Sequence, residues 1–528
     1  MKKRILSLLL VIAMVASLAG CGKKDASTEG KSSEVLSTGE IDTSEHVVIN
    51  YMTTSDVPTN TATDDMLKEL NKILTEKVNA EIQIYYIGWS DYLSNYNLTL
   101  AQMDGTVDLV GTSTDWLDAW ANAKRGAFLE LSEEMLQTYA PKTWESVPAE
   151  HWELCKYDGD IYLMPEDNFE TWINHGFTYR LDWAKEAGLE NGCHSWEDMT
   201  TYFKYVKEAY PDVTPWDSNG THSVYTASGW VASNTQFIPI DGIASGNLWG
   251  GTEDDLYTVT CPFYETDLLL DFAKMMKEWD EIGVWKTDVL NNTTADSEAD
   301  FKIGKTAAHQ HHAETWKGLS NKNNSANTIY ANDEDAEAGF FWFGEETGNV
   351  VEMNITHGAM AVSAGSKNPE RALMVYDLIR NDETCYRLFN YGIQGRQYDI
   401  DENGMRYTPD TYDQDEDGLA VAYWWGRNDD IELKDAAMDW DVIAPMYDIF
   451  EAEAVTYPYG QFIPDTSNIQ SYIQNCNDQH NNIVKQIAYG KYTGTPEEIV
   501  AQYKEAMKAA GVEIVMEELQ RQMDEVYK

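Results

Sequence analysis

The chain has 528 residues, 89 of them Asp or Glu against 38 Lys or Arg, for a formal charge of −51. A surface that acidic repels phosphate backbones and anionic headgroups, so it excludes nucleic acid as a partner and disfavours uronates and phosphates as ligands. The length admits two or three domains.

Read from the N-terminus, Lys2, Lys3 and Arg4 form a positive region, and Ile5 to Leu18 an apolar stretch too short to span a bilayer comfortably. Leu18-Ala19-Gly20-Cys21 follows, so residues 1–20 are expected to be a signal peptide cleaved before Cys21. The same string resembles the bacterial lipobox, which implies diacylglycerol on the Cys21 thiol and an acylated amino terminus; several chains anchor far more firmly than one. No later stretch approaches the run of about 20 apolar residues a membrane helix needs, so attachment is expected through the lipid alone, on the extracellular face. Residues 21–44, rich in Ser, Thr, Gly, Lys and Glu, carry that lipid and then a flexible spacer.

Folded elements then alternate. His46 to Met52 predicts a buried strand, and Asp64 and Asp65 stand where a helix N-terminus favours acids. Met66, Leu67, Leu70, Ile73 and Leu74 follow at helical spacing. Glu81 to Ile87 predicts a second strand, Ser90 to Met103 a second helix and Val107 to Gly111 a third strand. Strand–helix–strand–helix–strand with short connections predicts a parallel sheet in an α/β layer. The pattern returns at Gly176 to Arg180, with helices near 182–188 and 196–209, so two sheets and two lobes are expected. Cys155, Cys193, Cys261, Cys385 and Cys476 lack the close spacings of zinc sites and are too scattered to read as a disulfide framework.

Several segments resemble the family 1 extracellular solute-binding proteins of ABC importers. They include Thr112-Ser113-Thr114-Asp115-Trp116, the run Tyr157-Asp158-Gly159-Asp160-Ile161-Tyr162-Leu163-Met164-Pro165, Phe301 to Ala308, and Ser366 to Leu373. Asn390 to Tyr398, Trp424-Trp425-Gly426, Gly460 to Ser467 and Glu518 to Asp524 resemble the LipO-type lipoprotein subgroup, with Gln461 and Pro464 departing from its pattern. The resemblance implies a two-lobe, periplasmic-binding-protein-like α/β fold whose lobes close on a ligand and dock on a permease. On that plan residues 45–167 begin the first lobe, 168–345 form the second, 346–395 return to the first, and 396–528 complete both lobes and the cleft.

Eighteen Trp and 31 Tyr suit sugars, whose C–H faces stack on flat rings while acids, amides and His meet their hydroxyls. Ser55 and Asp56 follow the first predicted strand, Trp89 the second, and Asp115 with Trp116 the third; ligand loops of α/β sheets lie beyond strand C-termini. From the second lobe Glu166, Trp172 and His175 follow the crossover, and Trp230 lies among Gly and Ser. Of the pair Trp424 and Trp425, alternation along a strand lets one face the cleft, and Trp425 is the one expected there. His309-Gln310-His311-His312, with Glu314 nearby, admits hydrogen bonding to sugar by His311, solvent or core satisfaction, or metal, and lacks the helical spacing of a zinc motif. Asp413, Asp415 and Asp417 copy the opening of a calcium loop whose twelfth position is Trp424 instead of Glu, so loose calcium binding and an acidic turn both stand open.

No nucleophile elbow, zinc motif or phosphate loop appears. The expectation is a monomeric, lipid-anchored receptor for a neutral oligosaccharide, with no cofactor and no catalysis, serving an ABC permease. A receptor for peptides or other polar nutrients is the alternative, with an extracellular glycosidase and a structural surface lipoprotein behind it.

Overall fold

The computed structural model describes residues 41–168, 171–172, 175–220, 222–240, 246–252, 254–292, 294–320, 328–421 and 423–528, the side chains at 171, 172 and 424 excepted. The expected signal peptide, Cys21 and nearly all of the spacer lie outside these residues. His46 to Lys528 forms one compact unit, distinct from the unit that ends at Glu45.

β1 (Val47–Thr54) pairs in parallel with β2 (Ala80–Ile87), from Val47 opposite Ala80 to Thr54 opposite Ile87. Its other edge pairs in parallel with β3 (Leu109–Thr112). The helix Ala62–Val78 links the first two strands and buries Met66, Leu70, Leu74 and Val78, a stripe spaced by four residues. Asp64 and Asp65 occupy its first turn, and Asn79 ends it in the left-handed region at φ 49°. The helix Tyr92–Gln102 links β2 to β3. The three strands and the second helix stand within two residues of their predicted ends, and the first helix runs four residues beyond Leu74, the last position its spacing marked.

β4 (Met164–Pro165) closes the first stretch of this sheet, and the chain leaves it through β5 (Thr171–Trp172). A second sheet is then built from β6 (His175–Arg180), β7 (Thr214–Trp216), β8 (Thr306–His312) and β9 (Ala338–Trp342), in the order β9-β6-β8-β7. β6 runs antiparallel to both β8 and β9, and β7 runs parallel to β8. The return passes through β10 (Val351–Glu352), antiparallel to β5, into β11 (Ala359–Val362). β11 slots between β3 and β4 and gives the first sheet the order β2-β1-β3-β11-β4. A third passage follows near the C-terminus: Val455 exchanges backbone hydrogen bonds with Glu352 and Val350, at 2.9 Å each. Three short extended segments thus run side by side where the chain passes between the sheets.

Each sheet has its own apolar core. The first is built on Ile49, Tyr51, Leu109, Val110, Met360 and Val362. The second holds Phe177, Trp196, Trp216, Trp279, Phe341 and Phe343, with the Trp196 and Phe343 rings stacked 5.2 Å apart. The last three helices, Gln470–Ala488, Pro496–Ala510 and Val512–Tyr527, add Ile483, Ile487, Tyr503, Met507 and Leu519 to it. A reciprocal cap between Thr495 and Glu498, with Pro496 in the first turn, starts the middle one. The five described cysteines are buried and unpaired, as small apolar core residues. No helix among the described residues is long and apolar enough to cross a membrane.

Candidate functional site

Because β1, β2 and β3 run parallel, their C-termini share one edge of the first sheet, and the loops beyond them meet. Trp89 and Trp116 stack there with centroids 6.1 Å apart and planes inclined by 16°. Tyr92 packs obliquely against both, at 5.9 and 5.7 Å. The third indole, Trp425, lies 5.6 Å from Trp116. Exposure falls along this row from 44% at Trp89, through a half-buried Trp116, to 1% at Trp425.

Trp425 therefore underlies the platform, contrary to the expectation that it faces a ligand. Its segment is a 3-10 turn, Trp424–Gly426, so the alternation expected of a strand does not apply, and Trp425 drops into the core. A Cβ on Gly111 would stand 2.3 Å from its Nε1, so β3 must carry glycine here.

Polar groups fix the rim. Asp56, exposed, accepts from the Trp89 backbone N–H at 3.2 Å, and Ser55 Oγ donates to the Asp56 carbonyl at 3.4 Å. Asp115 accepts from the Ser113 hydroxyl and lies 3.0 Å from His357 Nδ1. Burial pushes the Asp115 carboxyl up, but the His357 charge and hydrogen bond, with the Ser113 hydroxyl, hold it below the usual carboxylate range.

The second sheet supplies a set of its own. The antiparallel register places His312 opposite His175 and His311 opposite Gly176, so the start of β6 and the end of β8 crowd their imidazoles together. Tyr225, from the helix Ser223–Asn234, lies flat on His175 at 4.3 Å and 9°, and is 49% exposed. Gln310 Nε2 reaches His175 Nδ1 at 3.0 Å, and Thr315 Oγ1 reaches His311 Nδ1 at 2.8 Å. His312 turns back to accept from the Thr315 backbone N–H, capping the helix Ala313–Leu319. Burial, then mutual repulsion, pulls these groups down: His175 well below the usual imidazole value, His312 to about 4 and His309 to about 3. They are neutral near pH 7 and offer both donors and acceptors. Among the described residues no three His, Cys, Asp or Glu side chains are grouped to hold a metal.

Where the chain leaves the first sheet, Glu166 is buried, its carboxylate 3.3 Å from Arg427 and its carbonyl accepting from Arg380 at 2.9 Å. Trp172 follows on β5, its side chain outside the described residues. Trp230 is not at a ligand loop. It is a helical core residue, 6% exposed, packed on Trp196 and Phe272 and donating to the Leu268 carbonyl. Its Gly and Ser neighbours let the helix approach closely: a Cβ on Gly229 would meet Phe343 at 2.2 Å. In the acidic run Asp413 caps the short helix Gln414–Asp417, and Asp417 pairs with Arg396 at 2.7 Å, so two of the three carboxylates are engaged within the chain.

Tyr92 and Tyr225 are the functional candidates that sequence reasoning missed. Both sit in the first turns of helices, where periodicity marks no face for them. Tyr92 had one signal, a position three residues after Trp89. Burial, then the charges of Asp118 and Asp115 and the neighbouring Tyr225 hydroxyl, push the Tyr92 hydroxyl up.

Two α/β lobes joined by three crossing segments, with aromatic and polar side chains from both collected where they meet, define a two-lobe solute receptor. The chain belongs to the bacterial extracellular solute-binding proteins, whose family profile matches residues 59–383. A domain of unknown function, DUF3502, matches residues 458–528. A carbohydrate ABC transporter substrate-binding protein of Streptococcus pneumoniae serotype 4 is 24% identical over 98% of this chain and 97% of its own. The crystal structure of an N-glycan transport solute binding protein from Streptococcus pneumoniae superposes with a TM-score of 0.68 at 20% identity, covering 91% of this chain and 99% of that one. An HMO-binding, ABC-transporter-associated solute-binding protein from Bifidobacterium longum infantis gives 0.65 at 15% identity with the same coverage.

Proposed function

We propose that this chain is the capture subunit of an ABC importer and that its ligand is a neutral oligosaccharide. The observation that carries the reading is the pair of exposed, backed aromatic rings: Trp89 on Trp116 from one lobe, and Tyr225 on His175 from the other. Neutral imidazoles and the carboxylates of Asp56 and Asp115 border them, a set suited to hydroxyls and unsuited to anions. The carbohydrate and glycan relatives support the same class.

A ligand touching both lobes binds their closed arrangement better and shifts the population by that differential affinity. The three crossing segments are the natural pivot, with Glu166 and Arg427 fastened beside it. Lipid on Cys21 would hold the receptor at the outer membrane surface and raise its local concentration at the permease. The work is binding and release, without bond cleavage.

Thermal unfolding of the mature protein against a glycan panel tests this, because a ligand that binds only the folded state must raise the melting temperature. Stabilisation by neutral oligosaccharides, with no new reducing ends, is the expected result. A flat response to glycans beside a shift with peptides would overturn it, and release of reducing ends would establish an enzyme instead.

A further inference from the structure

Three consecutive residues of the return passage, Thr356, His357 and Gly358, tie the loop beyond β3 to the place where the chain leaves the first sheet. The Thr356 carbonyl accepts from the Thr114 backbone N–H and from Thr114 Oγ1, both at 3.2 Å, and the Thr356 hydroxyl donates to Thr114 Oγ1 at 3.3 Å. His357 Nδ1 lies 3.0 Å from the Asp115 carboxylate. The Gly358 carbonyl accepts from the Glu166 backbone N–H at 2.7 Å. Asn354 steadies the turn, its side-chain oxygen accepting from the Thr356 N–H at 3.3 Å and its carbonyl from the His357 N–H at 2.7 Å.

A second route joins the same two places. Trp116 rests on Trp425, Arg427 follows two residues later, and Arg427 reaches the Glu166 carboxylate at 3.3 Å. The contacts close a circuit through Asp115, Trp116, Trp425, Arg427, Glu166, Gly358 and His357. His357 is half-buried, and its imidazole can be removed while every backbone bond of the circuit stays in place.

Given the carbohydrate reading above, we infer that His357 is a positioning residue for capture: it fixes the Asp115 carboxylate before a ligand hydroxyl arrives and couples the loop that carries Trp116 to the crossing segments about which the lobes turn. Ligand seated on that loop then loads the pivot through side chains already in contact, with little ordering left to be done on binding. Closure holds the ligand once it is reached, so loss of this coupling acts on escape more than on encounter.

Binding kinetics of the mature protein test the inference, with the tetrasaccharides of β-1,4-glucose, β-1,4-N-acetylglucosamine, β-1,4-mannose, β-1,4-galactose and α-1,4-glucose as probes. For whichever of them the parent holds best, His357→Ala should dissociate about tenfold faster, the loss of one charge-assisted hydrogen bond. Association should stay within about threefold, and the melting temperature without ligand should not move. His357→Asn returns an amide N–H near the place of Nδ1 and should bring dissociation back to within about threefold of the parent. Dissociation from His357→Ala as slow as from the parent would overturn the inference and leave the carbohydrate reading standing. So would faster dissociation that comes with a lowered melting temperature and is not rescued by Asn, which would assign His357 to the fold alone. Silence toward every saccharide of this set and of the wider glycan panel would overturn both.

Discussion

The indole N–H of Trp425 donates to Thr53 Oγ1 at 3.1 Å, joining the C-terminal third of the chain to the end of the first strand across 372 residues. Trp425 fills the space above Gly111 and props Trp116 from beneath. Trp425→Ala should therefore cost about 3–5 kcal/mol of stability by urea unfolding, the penalty of emptying a buried aromatic site. Ligand affinity should fall as a consequence of lost support. Trp425→Phe keeps a ring and forfeits the hydrogen bond, so about 1 kcal/mol is expected. Were Trp425→Ala as stable as the parent, the core role assigned to it would be wrong.

Trp89 should behave in the opposite way. It is 44% exposed and is held by its backbone through Asp56, so removing the ring costs the fold little. For Trp89→Ala the expected change in unfolding free energy is within about 0.5 kcal/mol, while affinity for a stacking saccharide drops by about tenfold or more. Trp116→Ala, half-buried in the middle of the row, should lose on both measures. Affinity and stability read on the same preparations separate the three tryptophans by depth.

These depths mark what the sequence could and could not disclose. Strand and helix positions from Val47 to Thr112 were legible because short apolar runs mark buried parallel strands and a stripe at about four residues marks the first helix, and strand ends locate ligand loops. That logic puts Asp56, Trp89, Asp115 and Trp116 beyond strand ends, the last two also through the family resemblance, and the structure stacks Trp89 on Trp116 there. Trp230 and Trp425 were misjudged because an indole reads the same whether it lines a cleft or fills a core. Among the described side chains five tryptophans are fully buried. Only the packing of Phe343 on Gly229, or of Trp425 on Gly111, decides such cases. Tyr225 was invisible because its partner, His175, is 50 residues away and meets it only where the helix Ser223–Asn234 packs on the second sheet.

The proposed anchor carries its own test. Cys21→Ala removes the only thiol at the expected cleavage point, so the variant should appear in the culture supernatant while the parent stays with the membrane fraction. Mass spectrometry of the parent's amino terminus should show an acylated cysteine. An unchanged distribution of the two proteins would remove lipid anchoring from the functional reading.

Acid should weaken the fold, and His480 is the group on which to measure it. It is 1% exposed on the helix Gln470–Ala488, with Nδ1 3.0 Å from the Tyr503 hydroxyl. Burial pulls its pKa down to about 4 from an ordinary 6.5. The groups around it, Tyr503, Cys261 and Cys476, are all pushed up and uncharged near neutrality, so none rewards a proton on His480. Between about pH 6.5 and 4 the unfolded chain holds a proton here that the folded chain lacks. Stability is therefore greatest above that window and falls through it as pH drops, by about 2 kcal/mol from this group on reaching about pH 5. His222, His309 and His312 titrate in the same direction, so the parent's total loss should exceed that of one group. His480→Gln keeps a polar partner for Tyr503 without the titration. Urea unfolding at about pH 7 and about pH 5 should show the variant losing about 2 kcal/mol less than the parent. Equal losses in the two proteins would show that His480 does not titrate as its burial requires.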